Sequence, residues 1–135
     1  MISCINCDEP LRAAQQFYCS NRCQRDVQYH KYIELWKQGK VNGGRGLNTR
    51  NMSGHLIRYL REKYQRCSSC GWDERNPVTD RVPLEIDHID GNSENNTELN
   101  LRLICPNCHS LSSNFRNLNR GNGRAWRRLK YVRSK

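Results

Sequence analysis

"LEIDHIDGN", residues 84–92, decides the fold. Leu84-Glu85-Ile86 alternates as a strand does and runs into Asp87 and His88, ahead of an Asp90-Gly91 turn. A second apolar run, Leu101–Ile104, follows a polar stretch. The two runs, 82–86 and 101–104, predict a β-hairpin with a long connection. Cys67-x-x-Cys70 precedes this pair of runs, and Cys105-x-x-Cys108 follows it. Each Cys-x-x-Cys turn points two thiolates at one ion, so the four predict a tetrahedral zinc site tying the start of the hairpin to its end. Gly71 suits the tight knuckle. A closed four-cysteine site has no open position, so this zinc is expected to be structural. A helix is expected from about Asn107 to Asn117, with His109 near its start.

Outward from this core, a second quartet, Cys4, Cys7, Cys19 and Cys23, occupies residues 1–38 and predicts a second structural zinc in a small treble-clef-like finger. Ser20 reads as the N-cap of a helix carrying Val27, Tyr29, Tyr32, Ile33 and Trp36, with Gly39 as its stop. Residues 39–52 hold four glycines and little apolar pattern, and read as a flexible basic linker. Residues 53–66 predict another helix, capped by Ser53, with Leu56, Ile57, Leu60 and Tyr64 on one face. The core is then 53–118, and 119–135 is a basic tail.

Only 36% of the 135 residues are hydrophobic, and mean hydropathy is −0.96. Such a chain needs staples, and eight cysteines supply them. No apolar run of signal-peptide or membrane-spanning length is present, so a reducing cytoplasm is expected, where paired Cys-x-x-Cys motifs bind metal. Net charge is +10, divided as +7 over residues 1–66, −5 over 67–115 and +8 over 116–135. A basic, acidic, basic order suggests a cation site between two arms that bind a polyanion. A nucleic-acid backbone is the polyanion such arms would hold, and the resemblance described below implies that it is DNA. Arg116, Arg120, Arg124, Arg127, Arg128, Lys130 and Arg133 are the expected contacts, with an inert solubilising tail as the alternative.

Asp87 and His109 can together reach one hard divalent cation. His88, on the other side of the strand end, is placed to act as a general base. Asn100 can hydrogen-bond across the long loop and hold the backbone that orients His88. "LEIDHIDGN…NLRLICPNCH" resembles the HNH (His-Asn-His, ββα-metal) endonucleases, with His88, Asn100 and His109 at the three name-giving positions. The resemblance covers about residues 53–118. It implies a small zinc-stapled α+β protein, with a ββα-metal core behind an N-terminal finger and helix. It also implies a nuclease of the small phage-encoded or homing type. Asp87 and His109 would hold Mg²⁺ or Mn²⁺, His88 would activate water, and the products would carry 5′-phosphate and 3′-hydroxyl ends. Many relatives carry a further His or Asn one helical turn after the last motif residue. Here Ser113 stands four residues after His109 and Asn114 five, so water takes a ligand position. The alternatives are a structure-specific or restriction-type nuclease and a non-catalytic zinc-finger DNA-binding protein. The sequence leaves the oligomeric state open.

Overall fold

The computed structural model describes residues 2–44 and 52–123. The chain divides into two compact units, residues 1–40 and 41–135. In the first, Cys4–Glu9 forms a knuckle: the Cys4 N–H donates to the Glu9 carbonyl at 2.8 Å, and Asp8 takes a left-handed φ of 62°. Helix α1, Asn21–Lys37, begins where expected, with the Ser20 hydroxyl accepting from the Cys23 N–H at 3.2 Å. Its end is a Schellman motif. Gly39, at φ +75°, donates to the Trp36 carbonyl, and Lys40 donates to that of Leu35. Tyr29, Ile33 and Trp36 are buried with Cys4 and Cys23, so the apolar stripe of α1 is core. His30 is exposed.

The second unit opens with the ends of the expected linker brought together. Gly44 bridges Met52, and the Ser53 N–H donates to the Gly43 carbonyl at 2.9 Å. Residues 45–51 of that linker lie outside the described residues. Helix α2 is Gly54–Lys63, with Ser53 at its N-cap as expected and its end three residues early; the buried Ser53 makes no side-chain cap bond. Leu56 and Leu60 are fully buried, and α2 packs on the second strand.

The hairpin pairs β1, Glu85–His88, antiparallel with β2, Leu101–Ile104, with Asp87 opposite Arg102 and His88 opposite Leu101. The first strand therefore starts three residues later than the sequence suggests. Pro83 has no N–H for a ladder and keeps the preceding segment out of it. The connection contains a 3₁₀ turn, Glu98–Asn100. Helix α3 spans only Pro106–Ser110, and a second 3₁₀ turn follows at Arg116–Asn119. The expected helix to Asn117 is not formed. Serine and asparagine side chains bond locally instead, Ser110 to the Asn107 carbonyl and Ser113 to the Asn114 amide oxygen, which competes with helix propagation. No helix among the described residues is long and apolar enough to cross a membrane.

Candidate active site and metal centres

Each cysteine quartet has its donor sulfurs within 4.8 Å of one another. In the first, Cys7–Cys19, Cys19–Cys23 and Cys23–Cys7 lie 3.5, 3.6 and 3.7 Å apart; in the second, Cys70–Cys105 is 3.8 Å. These are far beyond a disulfide. They match the roughly 3.8 Å sulfur–sulfur edge of a tetrahedron built on zinc–sulfur bonds of about 2.3 Å. Both quartets could therefore hold zinc.

Both use the same local device. A knuckle supplies two thiols and a helix N-terminus supplies two more. Cys105 is the N-cap of α3 and accepts from the Cys108 N–H at 3.4 Å, while Cys23 lies in the first turn of α1. Burial pushes the Cys67 thiol up, but the backbone N–H groups of Cys70, Cys105 and Ser69 outweigh it and bring the pKa to about 6. Cys4 also ends at about 6, its burial outweighed by the amides of Cys19, Asn6 and Cys7. Cys108, crowded by the thiols of Cys105 and Cys70, is pushed up to about 12. Cys4 and Cys23 in the first quartet and Cys67 in the second are thus shifted towards the ionised form that binds metal, and a bound cation would displace protons from the others. The second quartet is joined to the hairpin: Cys67, Cys105 and Ile104 form one buried cluster, and the Ser68 N–H donates to the Leu103 carbonyl at 3.0 Å.

At the end of the hairpin, Asp87 is 6% exposed and its Oδ2 accepts from Arg102 Nε at 2.8 Å. Glu85, two residues back on the same strand face, meets His109 of α3, with Nδ1 to Oε2 at 2.5 Å. Phe115 packs edge-on against the His109 ring at 5.3 Å, and the Arg116 guanidinium sits 4.9 Å over Phe115. Among the described residues, only the two cysteine quartets bring three or more Cys, His, Asp or Glu donor atoms within 4.8 Å of each other. Glu85 and Asp87 thus share one strand face but have different partners, His109 and Arg102. Glu85 was missed in the sequence. Its signal was the two-residue spacing to Asp87, which puts both carboxylates on one strand face.

His88 is half-buried, and its Nε2 lies 2.7 Å from the Asn96 amide oxygen. Asn100, 8% exposed, stitches the connecting loop. Its amide oxygen accepts from the Asp90 N–H, its amide nitrogen donates to Asp90 Oδ1 and the Asn95 carbonyl, and its own carbonyl accepts from the Ile89 N–H. The Asn95 amide, helped by the Asn92 N–H and by Asn100, holds the Asp90 carboxyl below its usual range. Three further asparagines bind the chain just after His88: Asn114 to the Ile89 carbonyl at 3.3 Å, Asn119 to that of Gly91 at 2.7 Å, and Asn122 to that of Asp90 at 2.9 Å. Gly91, at φ +75°, sits among them, and a Cβ there would lie 2.3 Å from Asn119 Oδ1. Asn96 and this clamp had no signal in the sequence beyond an abundance of asparagine. Of the expected DNA contacts, Arg116 and Arg120 are exposed. Arg124, Arg127, Arg128, Lys130 and Arg133 lie outside the described residues.

Residues 67–115 match the family model of the HNH endonucleases. The chain is also similar to the H-N-H endonuclease F-TflIV of Escherichia phage T5, with 46% identity over 50 residues, which make up 37% of this chain and 21% of that protein. The chain spans about a fifth of the length of that curated relative. No solved structure matches. The stretch bounded by Cys67 and Phe115, which holds β1, the long loop, β2 and α3, is an HNH endonuclease domain.

Proposed function

We propose that the chain is a metal-dependent DNA endonuclease whose reaction takes place at the loop end of the β1–β2 hairpin. The observation that carries this reading is the pairing of histidines around one strand of the HNH domain. His88 ends β1, and His109 is joined to the same strand through Glu85. Asp87 and His109 would hold one Mg²⁺ or Mn²⁺ through a carboxylate oxygen and an imidazole nitrogen, donors that suit a hard or borderline ion. The bond from His109 Nδ1 to Glu85 leaves Nε2 as the ligating atom, the usual carboxylate–histidine–metal arrangement. A bound divalent ion supplies positive charge to the phosphate and to the leaving 3′ oxygen. His88 then has a defined task. With Nε2–H donating to the Asn96 oxygen, Nδ1 is the atom that takes a proton from the attacking water. Asn100 acts at one remove, through the Asp90 carboxylate and the backbone N–H groups of Ile89 and Asp90 just after His88. The products are 5′-phosphate and 3′-hydroxyl ends.

In this reading zinc fills both cysteine quartets, and the first unit is a treble-clef-like finger. Its support is a knuckle followed by a helix whose N-terminus carries the last two ligands. The biological role we assign is that of a phage-type homing endonuclease working in the host cytoplasm. The similarity to a phage-encoded endonuclease supports the phage setting.

The test is incubation of zinc-loaded protein with supercoiled plasmid and with host or phage DNA, in Mg²⁺ or Mn²⁺, followed by end mapping. Wild-type protein should cut. His88→Ala should fold, bind DNA and not cut. A His88→Ala protein that cuts at the wild-type rate, with contaminating nuclease excluded, overturns the assignment. Clustered cuts at one long site support homing, and dispersed cuts remove it.

A further inference from the structure

Away from the hairpin's reactive end, the second unit contains an open cleft of about 900 Å³ between α2 and the loop that leads from the zinc knuckle to β1. Four arginines line it, Arg58 and Arg61 from α2 and Arg75 and Arg81 from the loop. Two have acidic partners: Arg58 Nε meets Glu62 at 2.9 Å, and Arg75 lies 3.8 Å from Asp80. Arg61 and Arg81 have no ion pair among the described residues, and both are exposed.

The distribution of charge makes this cleft unusual. Residues 67–115 hold eight acidic side chains and only three basic ones, Arg75, Arg81 and Arg102. Arg102 is committed to Asp87, and the other two both line the cleft. The loop that carries them is preformed. Asn76 closes it in both directions, its N–H donating to the Arg81 carbonyl and its carbonyl accepting from the Asp80 N–H, each at 2.8 Å. The Asn76 side chain accepts from the N–H groups of Val78 and Thr79, and Arg75 donates to the Asp80 carbonyl at 2.9 Å. A loop ordered in advance loses little entropy when a ligand engages it.

We propose that this cleft is a second DNA-contacting surface of the domain, which takes the phosphodiester backbone of duplex flanking the cut, with Arg61 and Arg81 as the two phosphate-binding guanidiniums. The proposal rests on the nuclease reading above. Its chemistry is that of a polyanion rather than a single phosphate, because the two open guanidiniums belong to opposite walls of a wide, open cleft. The site also resolves an electrostatic difficulty. A domain segment with a formal charge of −5 repels DNA, and a local pair of uncompensated guanidiniums gives it a foothold of its own.

The experiment is a salt titration of binding to a duplex oligonucleotide by the zinc-loaded full chain, without added Mg²⁺ or Mn²⁺. Wild type is compared with the Arg61→Gln/Arg81→Gln protein, and plasmid cleavage is run in parallel. The double variant should flatten the negative slope of log K against log salt by about 0.9 for each lost phosphate contact. Its zinc content and melting temperature should stay as in wild type, which shows that it is folded. An unchanged slope in a folded variant, while wild type cuts, overturns the cleft proposal alone. A wild-type chain that neither binds nor cuts DNA overturns the nuclease reading, and the cleft proposal with it. As a positive control on the method, Arg58→Gln should change the slope less, because that guanidinium is already held by Glu62.

Discussion

His109 and Gly91 show how single positions set the geometry of the site. Glu85 holds His109 Nδ1, so removing its carboxylate should free the ring. We expect Glu85→Ala to weaken binding of the catalytic ion by about 10- to 100-fold, the usual effect of losing such a partner. A Mn²⁺ titration followed by electron paramagnetic resonance measures this, with zinc content unchanged. Glu85→Gln keeps an acceptor oxygen and should recover much of the affinity. Equal Mn²⁺ affinity in wild type and Glu85→Ala would remove Glu85 from the site. Gly91 and Gly71 share a left-handed φ, +75° and +80°, but a Cβ on Gly71 meets nothing within 4 Å. Gly71→Ala should therefore cost only the conformational penalty, about 1 kcal/mol. Gly91→Ala should cost more and also lower the cleavage rate, since the added carbon must push Asn119, Asn114 and Asn122 away from the loop beside His88. Denaturant melts of the two variants provide the comparison, and equal costs would show that the clamp yields freely.

The elements of the HNH segment are too short to stand alone. β1 and β2 have four residues each and α3 has five, while isolated hairpins and short helices are marginal in water. What joins them is the second quartet, whose Cys67 and Cys105 are buried with Ile104. We expect about two zinc ions per chain by elemental analysis. Cys105→Ser should unfold the hairpin and α3 while the first unit keeps its own zinc, because structural zinc supplies folding free energy to the unit that holds it. A folded, cutting Cys105→Ser protein would show that this zinc is not structural. The same shortness explains why α3 misled the sequence reading. Pro106 at its start and Cys105 as its cap are plain start signals, but the stop depends on whether Ser110 and Ser113 bond to solvent or to the nearby chain.

Across the whole molecule, cationic segments flank an acidic centre, and the end of the hydrogen-bonded core matters for any truncation. Bonds to the His88 loop continue past Leu118, through Asn119 and Asn122. Removing residues 124–135 should thus flatten the salt dependence of DNA binding, by about 0.9 in the log–log slope for each lost phosphate contact, with turnover at saturating DNA nearly unchanged. Cutting after Leu118 should flatten it and also slow turnover, because two of the three clamp asparagines are lost. Salt titrations and saturating-substrate rates of the two truncations make the comparison. An unchanged slope in the shorter deletion returns residues 124–135 to an inert, solubilising role.

The sequence by itself determined the cysteine quartets, the hairpin around the acidic loop, the cap and stop of α1, and the identity of the HNH segment. These follow from spacing along the chain: two residues between thiols, period two in a strand, Ser20 before a helical stripe and Gly39 after it. Only the tertiary structure decided who touches whom. The partnership of Glu85 with His109 spans 24 residues, that of Asn122 with Asp90 spans 32, and the cleft joins α2 to a loop beyond the zinc knuckle. No local pattern encodes such pairs. They exist because two metal-ready turns and one hairpin bring distant, individually unremarkable side chains within hydrogen-bonding distance.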